Sequence, residues 1–72
     1  MTIKQIVDLV MTTHEIIDIR IEMRGGNLGR YHTYSKKNIY RFISGWENKE
    51  VLETIYDNRG VTDLPRLFIL YK

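Results

Sequence analysis

Between Glu15 and Arg24 apolar and charged residues alternate: Ile17, Ile19, Ile21 and Met23 interleave with Asp18, Arg20, Glu22 and Arg24. Period two is the mark of a strand with one buried and one wet face, so residues 15–24 are expected to form a strand with those four apolar side chains inward. Upstream the period changes. Ile3, Ile6, Val7 and Val10 recur at helical spacing while Lys4, Gln5 and Asp8 fall on the other side, which predicts an amphipathic helix over Thr2–Met11. Thr2 followed three residues later by Gln5 is a capping box at its start. Downstream of the first strand, Gly25-Gly26-Asn27-Leu28-Gly29 is a turn by composition, because Gly and Asn tolerate positive φ, and the chain should return as a second strand over 30–35.

Two stretches admit alternatives. Ile39, Phe42, Ile43 and Trp46 lie at i, i+3, i+4 and i+7, which fits a short helix over 36–44 ended by Gly45, with a strand through Ile39–Ile43 as the competitor. Trp46 is the sole tryptophan and is expected to plug the core beneath the sheet. Val51, Leu52, Ile55 and Tyr56 suit a helical face, yet residues 50–56 also have strand propensity. The near-continuous apolar run Arg66 to Tyr71 favours the strand: it reads as a buried strand, which needs neighbours, and a second hairpin turning through Asn58-Arg59-Gly60 would supply one. The sequence therefore predicts an α+β domain. The N-terminal amphipathic helix packs on a small, mostly antiparallel four-stranded sheet, with a short helix between two hairpins.

With 72 residues the chain is expected to form one compact domain that buries only about 60% of the surface its unfolded form exposes. It has no cysteine, and its two histidines, His14 and His32, are tied by no motif to each other or to acidic residues. Disulfide staples are excluded, and neither a metal site nor a nucleophile elbow is signalled. The GxxxxGK[ST] and GxGxxG patterns are also missing. No catalytic residue, cofactor or metal ligand is expected, and the chain reads as a binding protein, not an enzyme. The longest apolar runs fall short of the ~20 residues of a membrane span, so the expectation is a cytoplasmic protein without a membrane partner.

Charge is uneven. From Arg20 to Arg41 there are six bases against one acid, Glu22, whereas the rest of the chain holds five bases against eight acids. The same stretch carries aromatics. Arg20, Arg24, Arg30, Tyr34, Lys36, Lys37, Tyr40 and Arg41 are thus the candidate binding surface, suited to phosphates, bases or an acidic protein face. If its ligand were nucleic acid, affinity would fall by about 0.7–0.9 log units per decade of salt for each phosphate neutralised. The outer strands of so small a sheet also make an edge-to-edge homodimer an expectation.

The opening Met1-Thr2-Ile3-Lys4-Gln5-Ile6-Val7-Asp8-Leu9-Val10, the strand Ile17–Ile21, Glu50-Val51-Leu52 before a loop and the terminal Leu67-Phe68-Ile69-Leu70 resemble the layout of small phage and mobile-element proteins of Gram-positive bacteria. Those proteins begin with a similar helix and continue through antiparallel strands; residues 28–46 have no counterpart in that layout. The resemblance implies an inhibitor or adaptor that docks on a host protein or ribonucleoprotein complex, in an anti-CRISPR-like or other anti-defence role. A basic chain with a sequence pI near 9.0 does not imitate DNA, so it would cover an acidic or nucleic-acid-contacting surface. The other reading is direct binding of nucleic acid or a nucleotide through residues 20–41.

Overall fold

The computed structural model describes residues 1–26, 29–57 and 64–72. Its elements run α1 (Ile3–Met11), β1 (Ile16–Met23), β2 (His32–Ser35), α2 (Lys36–Phe42), β3 (Val51–Asp57) and β4 (Arg66–Tyr71). The strands form one sheet in the order β2-β1-β4-β3. Each hairpin is antiparallel, and the two dock with β1 parallel to β4 at the centre. This is the α+β architecture read from the sequence. Of the expected turns, Asn27 and Leu28 in the first and Asn58-Arg59-Gly60 in the second lie outside the described residues.

Local chemistry sets the helix ends. Thr2 accepts from the Gln5 N–H at 3.3 Å while the Gln5 side chain accepts from the Thr2 N–H at 2.8 Å, completing the capping box. Two further N–H groups of the first turn, on Ile3 and Lys4, bond the carbonyls of Lys49 and Glu47 at 3.1 and 3.0 Å, so the chain just before β3 serves as an outer cap. Ser35 caps α2 by accepting from the Asn38 N–H, and Lys36 N–H reaches back to the Glu15 carbonyl at 2.7 Å. Gly45, at φ +95°, takes the left-handed conformation that lets the chain turn away after α2.

Both helices lie on one face of the sheet. Ile3, Val7 and Met11 of α1 and Ile39 and Ile43 from α2 and its C-terminal end bury against Ile17 and Ile19 of β1 and Leu67 and Ile69 of β4. Burying a side chain of that size is worth about 1.5–3 kcal/mol each. Among the described residues the other face has no helix, and it carries Asp18, Arg20 and Glu22 beside Arg66, Phe68 and Leu70, with Glu53 and Ile55 outside them.

Three expectations about burial are corrected. Trp46 is 37% exposed: it lies past α2, edge-on to Phe42, because α1 and α2 already fill the space under the sheet. Met23 is 52% exposed, since the β2 ladder pairs with β1 only from Ile16 to Ile19 and stops short of that end of the strand. Asp18, placed by alternation on a wet face, is only 7% exposed: Thr33 Oγ1 donates to it, and the guanidinium of Arg66 lies 3.7 Å away. At the strand ends, β2 begins at His32 and leaves Tyr31 free of the ladder.

Candidate binding surface

The basic stretch that is continuous in sequence is divided in space. Lys36, Lys37 and Arg41 sit on α2, which starts where Ser35 pairs with Ile16, whereas Arg24 follows Met23 at the far end of β1. Eight strand residues at roughly 3.3 Å each separate the two groups by about 25 Å. Arg30 precedes β2 on the same side as Arg24, next to Gly29, whose N–H donates to Glu22 at 2.6 Å.

Arg20 belongs to neither group. On the helix-free face its guanidinium donates to Glu22 through Nε at 2.8 Å and through Nη2, and its carbon lies 5.9 Å from the Tyr31 ring centroid and 5.2 Å from that of Phe68. Arg66 approaches the same Tyr31 ring at 4.9 Å. Glu22 is held below the ordinary carboxylate value by the Gly29 N–H and by Arg20. The positive charges on this face are therefore matched by Asp18 and Glu22, and the face is a layered ion-pair and aromatic network. Sequence reasoning missed Arg66, which reaches the network only through the parallel β1–β4 pairing and has no local signal.

Tyr40 is also committed. Its hydroxyl donates to Asp8 at 2.7 Å, and Lys4 donates to the other oxygen of Asp8 at 3.0 Å. These bonds lower the Asp8 pKa, while burial and the neighbouring carboxylate push the Tyr40 hydroxyl up to about 12. Tyr40 ties α2 to α1 and is not part of an exposed cluster with Lys36, Lys37 and Arg41.

What remains together is the β2–α2 surface. Lys37 and Arg41 are four residues apart and point away from buried Ile39, so they form one exposed ridge. Beside it Tyr34 and Phe42 stack with centroids 4.4 Å apart and planes at 16°, and Trp46 meets Phe42 edge-on at 5.5 Å and 84°. Thr33, Tyr34, Asn38, Arg41 and Phe42 line an open depression of about 430 Å³, with no carboxylate among the described residues of its wall. Thr33, Asn38, Phe42 and Trp46 were not among the sequence candidates; the i, i+4 spacing of Asn38 and Phe42 was the signal that puts those two on one side of α2, and Trp46, past the helix, had none.

The histidines stay apart. His14 Nε2 is 2.5 Å from the Tyr56 hydroxyl, and His32 lies 6.4 Å from the Tyr34 ring. Among the described residues no three His, Cys, Asp or Glu side chains gather as metal ligands, and no helix is long and apolar enough to cross a membrane. Neither a protein-family model, a curated protein nor a solved structure matches the chain.

Proposed function

We propose that this chain is a non-catalytic binding protein that docks its β2–α2 surface on an acidic face of a partner protein. The observation that carries the reading is the pairing of Lys37 and Arg41 with an aromatic row, Tyr34, Phe42 and Trp46, around a depression without carboxylates. Tyr, Trp and Arg are the side chains that dominate protein interfaces, and acids there would repel an acidic partner. Nucleic acid is the weaker fit. Base stacking needs free ring faces, yet Tyr34 and Phe42 already stack on each other. A backbone-tracking groove needs contiguous cations, whereas these lie at two ends of β1.

The mobile-element layout of the sequence extends the proposal: the partner is a host protein or ribonucleoprotein complex in the cytoplasm, and the chain acts as an inhibitor or adaptor in an anti-CRISPR-like or other anti-defence role. The test is recovery of a partner from host lysate with tagged protein, with and without nuclease. A stoichiometric protein should survive nuclease, be lost with Lys37→Glu/Arg41→Glu, and persist with Arg24→Glu/Arg30→Glu. Recovery of nucleic acid alone, abolished by nuclease, would overturn the reading in favour of direct nucleic-acid binding.

A further inference from the structure

Strand β3 is exposed on both faces. Leu52, Ile55 and Tyr56 are 43%, 53% and 45% exposed, although with Val51 they make four of its seven residues apolar. Among the described residues its outer edge is open as well from Leu52 onward. The Tyr71 and Pro65 carbonyls accept from Arg24 and Asp18 at 2.8 and 2.9 Å, so the odd-numbered positions of β4 aim their backbone groups at β1. Ile69 and Leu67 share that direction, and their β3 partners are Thr54 and Tyr56. Thr54 and Tyr56 therefore point N–H and C=O outward, away from the sheet.

Natural edges are blunted by Pro, Lys, bulges or a covering segment. Here the cover stops early. Met1 accepts from the Val51 N–H at 2.8 Å, Thr2 bridges Glu50, and the bulge between Val51 and Glu53 lies at this same end. From Leu52 to Asp57 the strand has neither Pro nor Lys.

We propose that this edge pairs antiparallel with the same edge of a second copy, across a two-fold axis at Thr54. A two-fold normal to the sheet keeps each side chain on its own face, so paired positions must share a face and the axis must pass through a residue position. An axis at Glu53 sets two Glu53 carboxylates against each other, and one at Ile55 sets Glu53 against the second copy's Asp57. An axis at Tyr56 pairs only residues 55–57 within the described strand. At Thr54 no like charges stand directly opposite one another: Glu53 opposes the second copy's Ile55, and both the two Ile55 and the two Glu53 side chains become diagonal neighbours, each Ile55 beside its own Phe68. The Thr54 backbone groups, which point outward, then form a doubly bonded pair. The β2–α2 surface lies at the other side of the sheet, so it stays free in both copies.

The test is sedimentation equilibrium from about 1 μM to about 1 mM. The mass should rise from 8.6 kDa to twice that value. Thr54→Pro deletes an N–H that β4 does not use, so it should retain the wild-type circular dichroism and remain monomeric. Thr54→Lys, which puts two ammonium groups on the axis and also serves if the proline variant unfolds, should weaken the dimer by more than about tenfold. Ile55→Lys places a cation opposite Glu53 and should dimerise at least as tightly as wild type. A wild-type monomer at all concentrations, folded Thr54→Pro dimerising like wild type, or Ile55→Lys disrupting the dimer more than Thr54→Lys would each overturn the proposal.

Discussion

Strands β1 and β3 are built from similar residues and meet different fates. Both are rich in β-branched and aliphatic side chains and carry acids on the helix-free face. In β1, Ile17 and Ile19 are fully buried and even Asp18 is covered, whereas in β3 every residue after Val51 is exposed. Propensity is therefore not what separates them. Position is: β1 has a strand on each side and two helices over it, while β3, among the described residues, has one neighbouring strand and only Val51 packed against the core. In a small domain the helix layer is too narrow for four strands, and the strand left out becomes a surface available to a partner.

The largest expected effect breaks this contrast directly. Ile19→Ala should cost about 2–5 kcal/mol by urea denaturation, because it opens a cavity among side chains that cannot collapse into it. Ile55→Ala, on the exposed strand, should stay within about 0.5 kcal/mol. Equal losses would mean that β3 is as buried as β1.

A smaller effect compares two acids on the same face. Asp18→Ala strands the Thr33 hydroxyl and the Arg66 guanidinium, whose buried Nε makes no hydrogen bond among the described residues. We expect a loss of about 1–3 kcal/mol. Glu53→Ala should be close to neutral in the same measurement, and a comparable loss would contradict the different environments assigned to the two carboxylates.

The smallest effect concerns the fastening of the helix layer above β1. Tyr40→Phe removes the bond to Asp8, which is exposed enough that about 0.5 kcal/mol is expected. Its pH signature is more informative. Asp8 is lowered, so its share is present above the ordinary carboxylate value and fades as pH falls through the lowered one. Tyr40 is raised to about 12, so its share is complete below the ordinary tyrosine value and fades as pH rises through 12. Stability of Tyr40→Phe relative to wild type should therefore converge at both pH extremes, and a constant difference from acid to alkali would exclude the link.

Periodicity was enough to read α1 and β1, because each buries one face and its apolar spacing records that face, whereas α2 kept a strand as its competitor and β4 was read from a near-continuous apolar run. The ambiguity over residues 47–58 has the same cause in reverse: a strand exposed on both faces has no inside to impose a pattern. Among the candidate site residues, Lys37, Arg41 and Tyr34 come together as a surface, while Arg20 and Tyr40 are taken up by Glu22 and Asp8. Side-chain pairing across strands and helices is not written in local spacing.

The sequence by itself determined that α1 is a helix and β1 a strand, where α1 is capped, and that the middle of the chain is basic. Only the tertiary structure decided where those charges go. β1 carries Arg24 away from Lys36, Lys37 and Arg41, and its parallel docking on β4 brings Arg66 and Phe68 to Arg20 and Tyr31. Local order follows from residues a few positions apart, whereas the surface depends on contacts between residues distant in the chain, and these are fixed by how the two hairpins bury their shared apolar face.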